Sequence, residues 1–325
     1  MIDAPVLDRP VPAPVATAPA KKKKLWAWLK LAVGAGIIVA LFWQLGTQSF
    51  VDGLRVITVG EIFAALGIGL ATTVLSAWRW CLVARRLGLR LSLSRAVLDY
   101  YRALFLNAVL PAGVLGDVQR AVQHGQQEGD VGRGVRAVVL ERIAGQAVVI
   151  VAGVAVLLAV PSLGLPRDII LIVLGVVAIL AIAFIAGRRW ARANTGLSRT
   201  MDDIRAGLLA RNAWPGITLL SAAALAGHIT LFVVAAHAVG STAPIAQLVP
   251  LMVLSLLAMG LPVNIGGWGP REGVAAVVFG AAGLGAAQGL TTAVVYGVLA
   301  LVASLPGAGV LILRAPVLRR LEKAL

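Results

Sequence analysis

Charge is scarce in this chain. Only 13% of its 325 residues are Asp, Glu, Lys or Arg, where an ordinary soluble domain carries about 25%. That shortage, with 59% hydrophobic residues and a mean hydropathy of +0.92, excludes a soluble globular domain. Cysteine is nearly absent. Cys81 alone excludes an intramolecular disulfide framework and a cysteine-based metal cluster. Histidine is limited to His124, His228 and His237. The last two differ by nine residues, which sets them on opposite faces of a helix and argues against two ligands on one metal. Hydrolase and nucleotide chemistry have no footing either. There is no supported Ser/His/Asp constellation and no P-loop, and Gly266-Gly-Trp-Gly269 follows no soluble strand. The sequence therefore predicts no metal and no cofactor.

Acidic residues are the rarer sign, 14 against 29 Lys+Arg, for a net charge of +15. In a soluble protein such an excess would point to nucleic acid. Here the basic residues lie mostly between apolar runs, so the expected partners are anionic lipid headgroups, and no nucleic acid is expected. Residues 1–20 are rich in Pro, Ala and Val and read as a disordered tail, closed by Lys21–Lys24. The long apolar segment after that run, without a clear small-residue cleavage site, argues against a cleaved signal peptide.

Apolar runs long enough to span a bilayer lie at about Leu25–Leu45, Val59–Val83, Arg136–Val160, Asp168–Gly187, Pro215–Val239 and Leu290–Leu313. Two further apolar stretches are broken by Pro and Gly, at 96–124 and 247–284. Each reads as a re-entrant helical hairpin, tolerated at membrane depth only where protein or a cavity surrounds it. Placing the N-terminus inside puts the loops holding Arg85–Arg95, Arg188–Arg211 and Arg314–Lys323 inside as well. Both termini are then cytoplasmic.

The broken stretches share a pattern. Leu110-Pro111, Gly116 and Arg120 in the first match Leu261-Pro262, Gly267 and Arg271 in the second, displaced by 151 residues. The same displacement carries the second span onto the fifth and the third onto the last. Each half then has three full spans. An odd number inverts the second half in the membrane, so one hairpin enters from each side, an arrangement many transporters use. The fold class expected is an all-α polytopic membrane protein with about six full transmembrane helices plus two re-entrant hairpins in an inverted repeat. Its parts are a basic N-terminal tail at 1–24, repeat one at 25–162, repeat two at 163–315 and a basic C-terminal tail at 316–325.

The chemistry concentrates where charge persists inside apolar surroundings. No charged residue lies between Asn212 and Pro270, or between Gly273 and Leu313, so Arg271-Glu272 stands alone. An Arg at membrane depth costs about 2.5–3.5 kcal/mol on insertion scales and is a functional suspect by default. Pro ends one half-helix, Gly permits a tight turn or close approach, and the next half-helix presents free N–H groups to an anion. Arg120 and Arg271 add fork-shaped donors suited to phosphate. The expected substrate-binding set is Arg120, Arg271, Asn107, Gly116, Gly266, Gly267, Arg142 and Arg79. Asp117, Glu272 and Glu141 are the expected gating or proton-coupling set. Asp117 and Glu272 have a plainer alternative, ion pairs with Arg120 and Arg271 that only fix the hairpins. Arg79, in Trp78-Arg79-Trp80, reads either as an interfacial snorkelling residue or as the lining of a headgroup cavity. Glu141-Arg142 reads either as an interfacial pair or as facing the hairpins. Gly285-Ala-Ala-Gln-Gly289 is a small-xxx-small pattern that fits packing within one subunit or a homodimer.

Leu106-Asn107, Leu110-Pro111, Gly116-Asp117, Arg120, Glu141-Arg142 and Ile265-Gly-Gly-Trp-Gly-Pro-Arg-Glu272 together resemble the lysylphosphatidylglycerol synthase transmembrane family, whose members are also called flippase-like. The resemblance covers about residues 25–315. It implies a bacterial inner-membrane protein that moves, or helps move, a lipid between leaflets. The synthases add a soluble aminoacyl-transferase domain. Only about a dozen residues follow the last apolar run here, so synthase activity is not expected. The function expected is a flippase for an anionic phospholipid or lipid-linked phosphate. The alternative is a membrane enzyme, or an accessory subunit beside a lipid-modifying enzyme partner.

Overall fold

A computed structural model describes residues 55–110, 113–159, 213–260 and 268–313, together with Gly207. Within them lie eight helices and no strand. They are α1 (Val59–Arg86), α2 (Leu93–Val109), α3 (Leu115–Gln127), α4 (Val131–Ala159), α5 (Trp214–Ala238), α6 (Ile245–Met259), α7 (Pro270–Ala281) and α8 (Ala286–Ser304). The predicted spans at Leu25–Leu45 and Asp168–Gly187, both tails and the Arg188–Arg211 loop fall outside the described residues, as do Gly266 and Gly267.

Four helices are long and apolar enough to cross a membrane: α1, α4, α5, and α8 continued to Leu313. At about 1.5 Å per residue, α3 and α7 reach roughly 20 Å or less, short of a hydrocarbon core about 30 Å thick. The order span, short helix, short helix, span occurs twice along the described chain.

Local chemistry sets the element ends. Thr58 and Glu61 form a capping box at the start of α1, where the Thr58 N–H donates to Glu61 Oε2 at 2.8 Å. Helix α2 stops because Leu110 precedes Pro111. Its backbone is extended, at φ −94° and ψ 137°, as the pyrrolidine ring demands of the residue before it. Pro215 and Pro270 occupy first-turn positions of α5 and α7, where a missing N–H costs nothing. Gly269 caps α7 with φ +108°, a conformation other residues rarely adopt.

Packing runs chiefly between α1 and α5, α3 and α4, and α7 and α8, with α6 set against α4 and α7. One core joins Phe232, Leu248, Leu251, Phe279, Tyr296 and Leu299 around the α5–α8 half. A second joins Ala77, Trp80, Tyr100, Ala121 and Leu140 around α1–α4. Close approach fixes both broken stretches. A Cβ on Gly116 would stand 2.2 Å from the Ala103 carbonyl oxygen, so α3 touches α2 there. A Cβ on Gly289 would stand 2.3 Å from the Ala275 carbonyl oxygen, so this residue of the small-xxx-small pattern packs within the chain, against α7.

Candidate functional site

Glu141 is the centre of a buried charge network. It lies on α4 with no exposed surface. Its Oε1 accepts from Arg79 Nε at 3.0 Å, from Arg79 Nη2 and from the Tyr100 hydroxyl at 3.2 Å. Its Oε2 accepts from Arg120 Nη2 at 2.7 Å. Four helices therefore converge on one carboxylate: α1 supplies Arg79, α2 Tyr100, α3 Arg120 and α4 Glu141 itself. An unpaired carboxylate so deeply buried would be neutral or costly, and these bonds are what let it stay ionised.

Asp117 is the second node. Its Oδ1 accepts from Arg120 Nε at 2.8 Å, and its Oδ2 accepts from Asn107 Nδ2 at 2.9 Å and from Arg142. Asn107 in turn accepts from the Gly116 N–H at 2.8 Å, satisfying a free donor of the first turn of α3. Among the described residues the network thus holds three guanidinium groups, from Arg79, Arg120 and Arg142, for the two carboxylates of Glu141 and Asp117. Arg79 and Arg120 are buried, whereas the Arg142 side chain is 45% exposed. Arg79 Nη1 also donates to Ser221 Oγ on α5 at 3.0 Å.

Arg120 is held by rings as well as by ions. Its Cζ lies 4.6 Å from the Trp80 ring centroid and 4.4 Å from that of Tyr100, geometry in which a cation is attracted to the ring face.

The second cluster is smaller and formally neutral. Arg271 and Glu272, at the start of α7, are 2% and 1% exposed. Arg271 Nε donates to Glu272 Oε1 at 2.9 Å. Glu272 Oε2 accepts from the Gly269 N–H at 2.7 Å, so this carboxylate also caps the helix, where the positive end of the dipole favours it. Arg271 lies over Trp268 at 5.3 Å and Tyr296 at 4.9 Å. A Cβ on Gly297 would stand 2.5 Å from Arg271 Nη2 and 2.8 Å from the Trp268 ring, so only glycine leaves room for this seat. The Tyr296 hydroxyl meets His228 Nδ1 at 3.1 Å.

Helix α5 touches both clusters. Ser221 and His228 are seven residues apart, on one face and about 10 Å along the axis. One meets Arg79 and the other meets the tyrosine beneath Arg271.

Of the predicted site residues, Arg79, Asn107, Gly116, Asp117, Arg120, Glu141 and Arg142 come together around α3. Arg271 and Glu272 form a separate pair. Arg79 does not snorkel: it is buried and turned toward Glu141, while its neighbour Trp78 is the exposed one. Glu141 and Arg142 face α2 and α3, where Tyr100, Arg120 and Asp117 meet them. Both plainer ion pairs, Asp117 with Arg120 and Arg271 with Glu272, exist. Sequence reasoning missed Tyr100, Trp80, Ser221, Trp268, Tyr296 and Gly297. Trp80 was visible beside Arg79, and Trp268 lay inside the second motif. The other four carry no local signal, because they join the site from elements distant in sequence. Among the described residues no group of three His, Cys, Asp or Glu side chains is placed to hold a metal.

A family model described as the lysylphosphatidylglycerol synthase TM region matches residues 27–307. A search of curated proteins returned no match.

Proposed function

The chain belongs to the lysylphosphatidylglycerol synthase transmembrane family, and from that premise we propose that it is a lipid transporter of flippase type. The cargo is an anionic phospholipid or lipid-linked phosphate. One observation carries the reading: three guanidinium groups against two carboxylates, with Arg79 and Arg120 buried among apolar helices and Arg142 partly exposed. Such a network has room for one more negative charge. A phosphate supplies it with a pair of oxygens that the planar guanidinium fork can meet with two parallel hydrogen bonds.

The step we envisage is an exchange of partners. A headgroup arrives at Arg142, takes over the bonds that Asp117 makes, and brings its charge toward Arg120. Asp117 holds the cations in place while no cargo is bound. Glu141 stays bound and keeps Arg79 and Arg120 in register. On the other side Arg271 does the same with Glu272 as its resting partner. We place the α2–α3 and α6–α7 pairs as re-entrant hairpins of an inverted repeat. One is reached from each leaflet of a bacterial inner membrane, with both termini cytoplasmic.

Purified protein in proteoliposomes with fluorescent phosphatidylglycerol tests this. Wild-type protein should expose inner-leaflet lipid to an outer quencher faster than protein-free vesicles. Arg120→Ala and Arg271→Ala should each slow that exchange toward the protein-free rate. Wild-type rates in both variants would remove these arginines from the transport path.

A further inference from the structure

The first cluster contains buried polar nitrogens that have no hydrogen-bond partner among the described residues. Arg120 uses Nε and Nη2 on Asp117 and Glu141, but its Nη1 has no partner. Trp80 Nε1 and His124 Nε2 are likewise buried and unpartnered. These atoms belong to side chains in mutual contact. Arg120 Cζ lies 4.6 Å from the Trp80 ring, and the Trp80 and His124 rings meet edge to face at 5.5 Å. Arg120 and His124 are one helical turn apart on α3. A buried polar group left unsatisfied costs about 1–3 kcal/mol, so three on neighbouring side chains call for a bound partner.

We propose that Arg120 Nη1, Trp80 Nε1 and His124 Nε2 form a buried oxyanion site that takes an oxygen of a phosphate group. The donor set fits that class of ligand. Arg120 and Trp80 can only donate, and His124 donates from Nε2 in the matching tautomer. The Asp99 carboxylate, on α2, is engaged by Arg95 at 3.7 Å and Arg102 at 3.6 Å. The extra cation of the network supplies the countercharge. The site's three nitrogens come from α1, which carries Trp80, and α3, which carries Arg120 and His124. It deepens the transport reading, on which it rests for the source of the phosphate, by naming where the headgroup is held after it leaves Arg142.

The test is binding to the full chain in uncharged detergent, followed by titration calorimetry. The probes are dihexanoyl phosphatidylglycerol, inorganic phosphate and dihexanoylglycerol, which lacks a phosphate. Trp80→Phe and His124→Phe remove one donor each and keep a ring in place. Each should weaken the phosphatidylglycerol analogue about tenfold, the loss of one hydrogen bond to a charged group, and leave dihexanoylglycerol unchanged. A parallel loss for inorganic phosphate would mean that free phosphate also enters. Binding of the lipid alone by wild type, with the same loss in the variants, would assign the oxygen to a headgroup. A melting curve for each variant checks folding, and either variant that folds decides the matter. Wild-type affinity in the folded variants, with Arg142→Ala still weakening the lipid, would overturn this site and leave the transport reading standing. Failure of wild-type protein to bind any phosphate probe would overturn both.

Discussion

At the scale of the residue, Glu141 decides most. Removing one partner of a buried ion pair leaves an uncompensated charge and typically costs about 3–5 kcal/mol. Glu141→Ala leaves Arg79 without a carboxylate and Arg120 with Asp117 alone, so a loss of that size is expected as a lowered melting temperature in detergent. Gly297 separates function from folding. A Cβ there meets Arg271 Nη2, the far end of a side chain that can move, and the Trp268 ring. Gly297→Ala should therefore lower transport more than stability, whereas Gly309→Ala, with open space around it, should change neither. The charged members of the site could be read from the sequence because charge is so rare in it. Arg142, Asp117 and Arg120 needed no structure to be noticed. The aromatic and hydroxyl partners could not be read, because a Tyr or Ser on an apolar helix looks the same whether it faces lipid or a guanidinium group. Arg79 shows the same limit from the other side. Two flanking tryptophans look like an interfacial belt until Trp80 proves to be buried and Trp78 exposed.

At the scale of the element, the two Pro-x4-Gly-x3-Arg stretches foretold where helices stop and restart. Leu110 ends α2 because Pro111 follows it, and the next helix begins within a few residues with its donors free for Asn107. Gly116→Ala should pry α3 from α2, since the obstacle is the Ala103 backbone, which cannot swing aside. A loss of about 1–3 kcal/mol is expected, as for other overpacked sites, read from the unfolding midpoint. What the sequence could not supply is the difference between the stretches. Both carry an Arg and a neighbouring acid, yet one becomes a five-member network and the other a lone pair that doubles as a helix cap. That depends on what α4 and α8 offer opposite. Shifting Glu141 by the repeat distance lands on Thr292, which cannot take a second cation. Orientation is the matching prediction. Reporter fusions within 125–132 and within 283–288 should give cytoplasmic and external signals respectively. The same side for both would end the inverted repeat.

At the scale of the whole molecule, the described residues form four helices long enough to span a membrane and four shorter ones, enclosing charges that lipid alone would not accept. Membership of the family and the multi-pass helical character were both legible, the first from motifs and the second from hydropathy. The convergence of four helices on Glu141 was not, because it is a property of packing between segments separated by as many as 62 residues. The account rests on the idea that the excess cation selects a phosphate. It is tested most directly by the ratio of translocation rates for phosphatidylglycerol and an uncharged glycolipid in the same proteoliposomes. Wild-type protein should favour phosphatidylglycerol, and Arg142→Gln, which removes the excess charge, should collapse that preference while the protein stays folded. Equal rates in wild type, or a preference untouched by Arg142→Gln, would contradict the account.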